Sequence, residues 1–469
     1  MKNIVRTLAI TLGFFVTSCT NDFEKINTTP NNALETDPNL LIAASIQNLE
    51  NTLYNMQIGG DMGMCWGQHQ SKVQYNDEEK YIPRRGQMNA LWDNTYATVI
   101  KELKEAYTFA GDQGNTNLQA VSLVLEANAF QILTDVYGPV VYSQFGATFP
   151  AYDSQEAVYD GLLSKLDEAE TLFANGTGDF KATADLLYGG NIAKWRKLGA
   201  SLKFKALMRI SKVRNVSTQL QALYDSGLLM SSNADSAQMA YTSAAPDANP
   251  IFETIVSNNR NEYKVSSVLV EQLNNYNDPR LAVYAQRNNA NLYVGNAPGV
   301  ENASNYNGFS ALGTKYLGAT LPAVILSYAQ VELFVAEAIN EGYVSGGLTA
   351  ARTHFVNGIN ANFAFNGLAA DPAYTSNPSV DFGSQNDARV KIATQMWLAL
   401  YGQGIETWTE WRRTGYPVLA PAAGAAIASI PKRFYYSTDE STFNKDSYNQ
   451  AISTLNNGDS MLSKLWFQP

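Results

Sequence analysis

Two glutamates, Glu406 and Glu410, stand four residues apart in "GIETWTEWRR", a spacing that puts both carboxylates on one face of a helix. Paired carboxylates are the machinery of glycoside hydrolysis. Those pairs, however, flank a scissile bond at roughly 5 to 9.5 Å and normally come from different elements. Arg412 and Arg413 follow directly, so the pattern predicts an ion-pair network instead of an acid and a nucleophile. Histidine is scarce: His69 and His354 are the only two, and His354 falls in a predicted helix among apolar neighbours. Neither a catalytic triad nor a zinc site is easily assembled from so few partners. Loop Asp and Asn residues could hold a structural calcium ion, yet no EF-hand spacing occurs. No Gly-rich phosphate cradle follows a strand. The expectation is a chain with no catalytic residues, no cofactor and no metal.

Two stretches carry the chemistry of recognition. A sugar ring presents apolar C–H faces and a rim of hydroxyls, so its site needs an aromatic plate beside amide or charged hydrogen-bonding groups. The stretch "GGDMGMCWGQHQSKVQYNDEEKYIPRRG" supplies Trp66, Gln68, His69, Tyr75 and Tyr81. In an alternative reading of the same residues, Trp66 and Cys65 plug the top of a helical body. The second stretch contains "NNRNEY", with Asn259 and Arg260, and "NLYVGNAPGVENASNYNGFS", with Tyr293, Asn305, Tyr306 and Phe309. Arg260 could hold two vicinal hydroxyls or a carboxylate. Sequence rich in Asn and Gly is also what turns are made of.

The elements that must position these residues are mostly helices, and they come in pairs. Three-to-four spacing of apolar residues predicts helices over 39–56, 87–110, 117–138, 153–173 and 191–213. Asp153 and Glu156 open the fourth in capping-box order. A third pair runs through "AVILSYAQVELFVAEAINEG" and "GLTAARTHFVNGINANFAF". A fourth is "QNDARVKIATQMWLALYGQGIETWTEWRRTGYP", where Gly402 and Gly404 separate a long helix from a short one. Small residues recur where large ones face them, as in tetratricopeptide stacking without its strict period. Loop-rich insertions are expected at about 59–87 and 231–320, the latter with one helix, Val265 to Tyr276. So long an irregular stretch in a compact domain points to function.

At the N-terminus, Lys2 and Arg6 precede an apolar run, Leu8 to Val16, too short to span a bilayer. It ends in Val16-Thr17-Ser18-Cys19, the form of a bacterial lipobox. The expected organisation is a signal peptide over 1–18, an acylated Cys19 with a polar tether over 19–37, and a single body over 38–469. A formal charge of −10 repels phosphates and argues against nucleic acid. With Cys19 acylated, Cys65 has no disulfide partner within the chain, so an exported body relies on its core.

The lipobox, "DVYGPVVYSQ", "PAYDSQEAVYDGLLSKLDEA", "WRKLGASLKFKALMRISKV", "NDPRLAVY", "ELFVAEA" and "ALYGQGIETWTEWRRTGYP" resemble, in this order, segments of the SusD/RagB family. The likeness is closest to its second SusD-like branch of outer-membrane nutrient-binding lipoproteins. The resemblance covers essentially the whole chain. It implies a mainly α-helical fold, with about four tetratricopeptide-like helix pairs forming one large body and a long irregular ligand-binding region. Family members sit as lids on TonB-dependent (SusC-like) transporters and bind oligosaccharides or, in some cases, peptides, without catalysis. The function expected is a lipid-anchored, cell-surface protein that captures glycans and delivers them to a partner transporter. Peptide binding in the same import system, or surface glycoside hydrolysis, are the alternatives. The matching segments read as scaffold, so the ligand residues rest on the loop composition alone.

Overall fold

In the computed structural model, which describes residues 36–468, the periodic segments become helices that pack on their sequence neighbours. Helix α1 (Pro38–Tyr54) is followed by α2 (Arg85–Asn94) and α3 (Lys101–Asp112), joined without a break through a π-helical turn at Thr95–Ile100. Helix α3 pairs with α4 (Thr116–Tyr137), which Asn115 caps by accepting from the Leu118 amide at 3.0 Å. Helices α5 (Gln155–Ala174) and α6 (Ile192–Ile210) form the next pair, and α7 (Ser217–Asp225) leans on α6. After the irregular region, which contains α8 (Ser267–Asn275), come α9 (Tyr328–Asn340) with α10 (Gly347–Phe365), and α11 (Gln385–Ala399) with α12 (Gly404–Thr414). The fold is mainly helical, with helix pairs stacked as the sequence predicts.

Two local expectations are corrected. Ser154, not Asp153, caps α5, accepting from the Ala157 amide at 3.2 Å. Asp153 is already engaged, receiving the amides of Tyr142 at 3.1 Å and Ser143 at 2.7 Å, so the helix begins one residue later. The run "AVIL", expected as the start of a helix, is strand β4 (Ala323–Leu326), which pairs antiparallel with β2 (Ala237–Met239). Its β-branched residues suit a strand. The helix proper starts at Tyr328 behind a capping box made by Ser327 and Gln330.

The first insertion is more ordered than its composition suggested. Met56–Met64 forms a π-helix with almost every side chain buried, laid across α12. Its glycines permit that crossing: a Cβ on Gly63 would meet the Cα of Gly404 at 2.7 Å, and one on Gly67 would meet the Thr407 methyl at the same distance. Glycines that read as a loop signal are here packing residues. Strand β1 (Gln70–Lys72) follows and pairs antiparallel with β3 (Tyr263–Val265), with Ser71 opposite Lys264.

Residues Pro38–Pro469 form one compact unit. No helix among the described residues is long and apolar enough to cross a membrane. Cys65 is buried and free. The signal-peptide and lipidation readings, including Cys19, lie outside the described residues.

Candidate ligand-binding face

The β1–β3 ladder joins the two irregular stretches. It is extended on both sides: the Val73 amide donates to Glu262 O, Ser266 to His69 O, and Asn302 to Val73 O, at 3.0, 3.1 and 2.8 Å. Asn296, fully buried, ties the third segment in by donating to Ser71 Oγ at 2.8 Å and Val300 O at 2.9 Å. The Ser310 amide reaches Val294 O and the Val265 amide reaches Ser310 O, so residues 294–310 lie against the same ladder. Beneath it, Lys72 is wholly buried beside Asp61 at 3.1 Å and Glu78 at 3.5 Å, while Glu79 accepts from the Lys72 amide at 3.0 Å. Burial raises the Glu79 carboxyl to about 7, with the Lys72 amide and other donors opposing.

On the outer side are the groups able to contact a ligand. Tyr75 is 58% exposed. Tyr306 is partly buried, donates its hydroxyl to Gln74 Oε1, and has the ammonium of Lys264 5.8 Å from its ring. Burial and then the charges of Glu262 and Tyr75 raise the Tyr306 hydroxyl, with Arg260 opposing. These groups therefore share one neighbourhood. Arg260 is partly exposed and bound to Glu262, its Nε donating at 2.6 Å. Asn259 and Asn305 are exposed, Phe309 is partly covered, and Tyr293 lies under Arg287, whose guanidinium carbon is 4.5 Å from its ring.

Among the described residues, six non-glycine residues have positive φ, and all fall in the two insertions, among them Gln68, Tyr75, Tyr81 and Asn259 at 55°, 56°, 68° and 51°. Tyrosine adopts this region at a cost, and such outliers gather where the surrounding structure over-determines the backbone.

Four residues proposed from the sequence as ligand contacts lie inside. Trp66 is completely buried, edge-on to Trp408 and Phe434 at centroid distances of 5.1 and 5.5 Å, with its indole N–H on Glu78 O at 2.9 Å. The plug reading is the correct one, since a ring covered on all sides offers no plate. Tyr81 packs on Trp66 and accepts the Ala422 amide at 2.9 Å; Gln68 donates to Ala420 O. His69 is buried between Trp397 and Tyr401, and burial lowers its pKa to about 3. A buried aromatic and an exposed one look alike in a Gly-rich sequence. Gln74 and Arg287 lie beside the outer tyrosines without having been singled out in the sequence, although the dipeptide Gln74-Tyr75 carries the same amide-beside-aromatic signal.

The carboxylates of "GIETWTEWRR" sit in a buried network at the crossing of four helices. Arg209 of α6 meets Asp135 of α4 at 3.1 Å and Glu406 of α12 at 2.8 Å, and also binds Glu410. Lys205 reaches Glu406 at 3.1 Å, and Arg413 donates to Glu410 at 2.9 Å and to Glu337 of α9 at 2.7 and 2.6 Å. Burial opposes ionisation of Glu406, but Arg209 and Lys205 outweigh it and hold the carboxyl at about 2. Arg413 pairs as expected. Arg412 does not: it stacks 3.6 Å from the Trp408 ring centroid and donates to Lys432 O at 2.8 Å. His354, expected among apolar neighbours, lies 2.9 Å from Glu332 and 3.2 Å from the Tyr224 hydroxyl.

A stack of helix pairs thus holds an irregular face by main-chain pairing. The chain belongs to the SusD-like_2 family, described as starch-binding associating with outer membrane, whose family model matches residues 30–437. Solved structures agree. A chitin-binding protein is 27% identical, with a TM-score of 0.83 over 92% of this chain and 100% of its own. A chitin-binding SusD homologue from Flavobacterium johnsoniae is 22% identical, with a TM-score of 0.79 over 91% and 98%. A SusD homologue from Bacteroides uniformis is 21% identical, with a TM-score of 0.81 over 92% and 99%. No curated protein matches the chain.

Proposed function

We propose that this protein captures oligosaccharides on the β1–β3 face and passes them to a TonB-dependent outer-membrane transporter, held at the cell surface by an acylated Cys19. The observation that carries the reading is the joining of two distant stretches into one surface where Tyr75, Tyr306, Gln74, Arg260 and Asn305 are gathered. Aromatic faces stack on sugar C–H groups, while amide and guanidinium groups take hydroxyls. The chitin-binding neighbour at 27% identity makes chito-oligosaccharides the first ligands to test. Binding without turnover fits the ion pairing of the two carboxylates: Glu406 is held by Arg209 and Lys205, and Glu410 by Arg209 and Arg413.

Titrating the soluble body with chito-oligosaccharides, malto-oligosaccharides and a peptide pool tests this directly. Saturable glycan binding that Tyr306→Ala weakens, with no new reducing ends over time, is the expected result. Binding of peptides alone would move the protein to the peptide branch. Release of reducing ends that disappears in Glu406→Gln would make it a hydrolase. Cys19→Ala is expected to release the protein from the outer membrane.

A further inference from the structure

Far from the β1–β3 pairing in sequence, the C-terminal segment and α12 line two concavities. One, of about 530 Å³, is bordered by Gln155, Asn456, Lys464 and Trp466. The other, of about 220 Å³, is bordered by Trp411, Arg412, Lys432 and again Lys464. Lys464 and Gln468 belong to both, so the two form adjoining compartments of one groove. Each compartment has its own tryptophan, and both indoles are only partly buried.

The charge of this groove is opposite to that of the molecule. The chain carries −10, yet three cations line the groove: Lys464 is exposed, Lys432 partly so, and Arg412 buried. None of them is in an ion pair among the described residues, and Arg412 uses its donors on Lys432 O and Thr409 Oγ1 at 2.8 Å each. The one acidic lining residue, Glu156, is engaged by Arg214 at 3.0 Å. Gln155, 3% exposed, has an Oε1 with no donor, while its Nε2 is held by Thr134 O at 2.7 Å. Cations without ion-pair partners beside two partly exposed indoles call for a ligand that is anionic and has apolar faces.

We propose that this groove is a second saccharide site, separate from the β1–β3 face, that takes acidic oligosaccharides: sugars bearing carboxylate or sulfate. Successive rings lie against Trp466 and Trp411, and the anionic substituent is held at Lys464, where the compartments meet. A ligand of at least two sugar units follows from the two plates. The proposal stands on the geometry of this groove and does not require the β1–β3 reading.

The test is titration of the soluble body, at low salt, with trigalacturonate and a chondroitin sulfate tetrasaccharide, each compared with neutral chitotriose and an acidic polyglutamate peptide. At least one acidic saccharide is expected to bind. Lys464→Glu and Trp466→Ala should each weaken it about tenfold or more, and added salt should weaken it further. Tyr306→Ala should leave it unchanged. Lys464 and Asn456 are exposed, so Lys464→Glu and Asn456→Ala test the site without unfolding the protein if Trp466→Ala proves unstable. The proposal is overturned if neither acidic saccharide binds, or if binding is indifferent to Lys464→Glu. It is also overturned if polyglutamate binds as tightly with the same dependence on Lys464, which would make the groove a peptide site. Loss of chitotriose binding in Tyr306→Ala alone bears only on the β1–β3 face.

Discussion

At the crossing of α4, α6, α9 and α12, arginines and carboxylates meet in a largely buried network and pair with one another: Arg209 holds Asp135, Glu406 and Glu410, and Arg413 holds Glu410 and Glu337. At the β1–β3 face the backbone does the holding, and Tyr75, Asn259, Arg260 and Asn305 are left partly or fully open. Residues of similar type thus serve cohesion in one region and contact in the other. The deciding variable is whether a side chain or the main chain makes the tertiary connection. Trp66 sharpens the point, because it belongs to the loop by sequence and to the helical body by packing.

The largest effects are expected in the body. Arg209→Ala leaves buried Asp135 without a cation and takes from Glu406 and Glu410 one of the two cations each has, Lys205 and Arg413 remaining, and should cost about 3–5 kcal/mol of stability in denaturant unfolding. Trp66→Ala, which empties a core position, should cost a similar 3–5 kcal/mol or so. Neither should change the affinity of the protein that remains folded. A Trp66→Ala variant with normal stability and weak binding would erase the distinction between the regions.

A pH dependence follows next. Glu50 is buried on α1 with Oε2 unpartnered, and burial, opposed by Lys205, raises its carboxyl to about 8 from an ordinary 4.5. The folded state therefore prefers the protonated form. This stability is complete below the ordinary pKa and is lost as pH climbs through about 8. Glu50→Gln should remove that loss, gaining roughly 2–4 kcal/mol at pH above 8 and little at pH 4. Glu406 has the reverse sign, its stabilisation being lost as pH falls from the ordinary value of 4.5 toward about 2. Thermal melts of both proteins across this range check the two signs.

Smaller effects belong to the face. Tyr306→Ala should weaken glycan binding by about 1–3 kcal/mol while moving stability by less than about 0.5 kcal/mol. Tyr306→Phe keeps the ring and loses only the hydroxyl bond to Gln74, so about 0.5–1.5 kcal/mol of affinity is at stake. Equal losses in the two variants would show that the hydroxyl, and not the ring face, makes the contact.

The helices were legible because apolar periodicity over four or five turns is a strong signal; the structure adds the caps Asn115, Asn191 and Ser384 at three of their starts. The ion-pair character of Glu406 and Glu410 was legible too, although their principal partner, Arg209, lies about two hundred residues away, and only folding brings it near. The insertions were harder. Gly59, Gly60, Gly63 and Gly67 read equally as a turn and as a close helix crossing, and sequence spacing cannot separate those meanings. Likewise, an aromatic beside an amide reads the same whether Trp408 and Phe434 cover it, as at Trp66, or nothing does, as at Tyr75.

The three-residue pairing of β1 with β3 has an evolutionary consequence. Its bonds run between amides and carbonyls, which every residue except proline can supply. Outward side chains such as Tyr75 and Tyr306 can therefore be exchanged for others while the attachment of the two stretches persists. Ligand preference is free to drift by substitution at the rim, and the helical stack need not be redesigned each time the available nutrient changes.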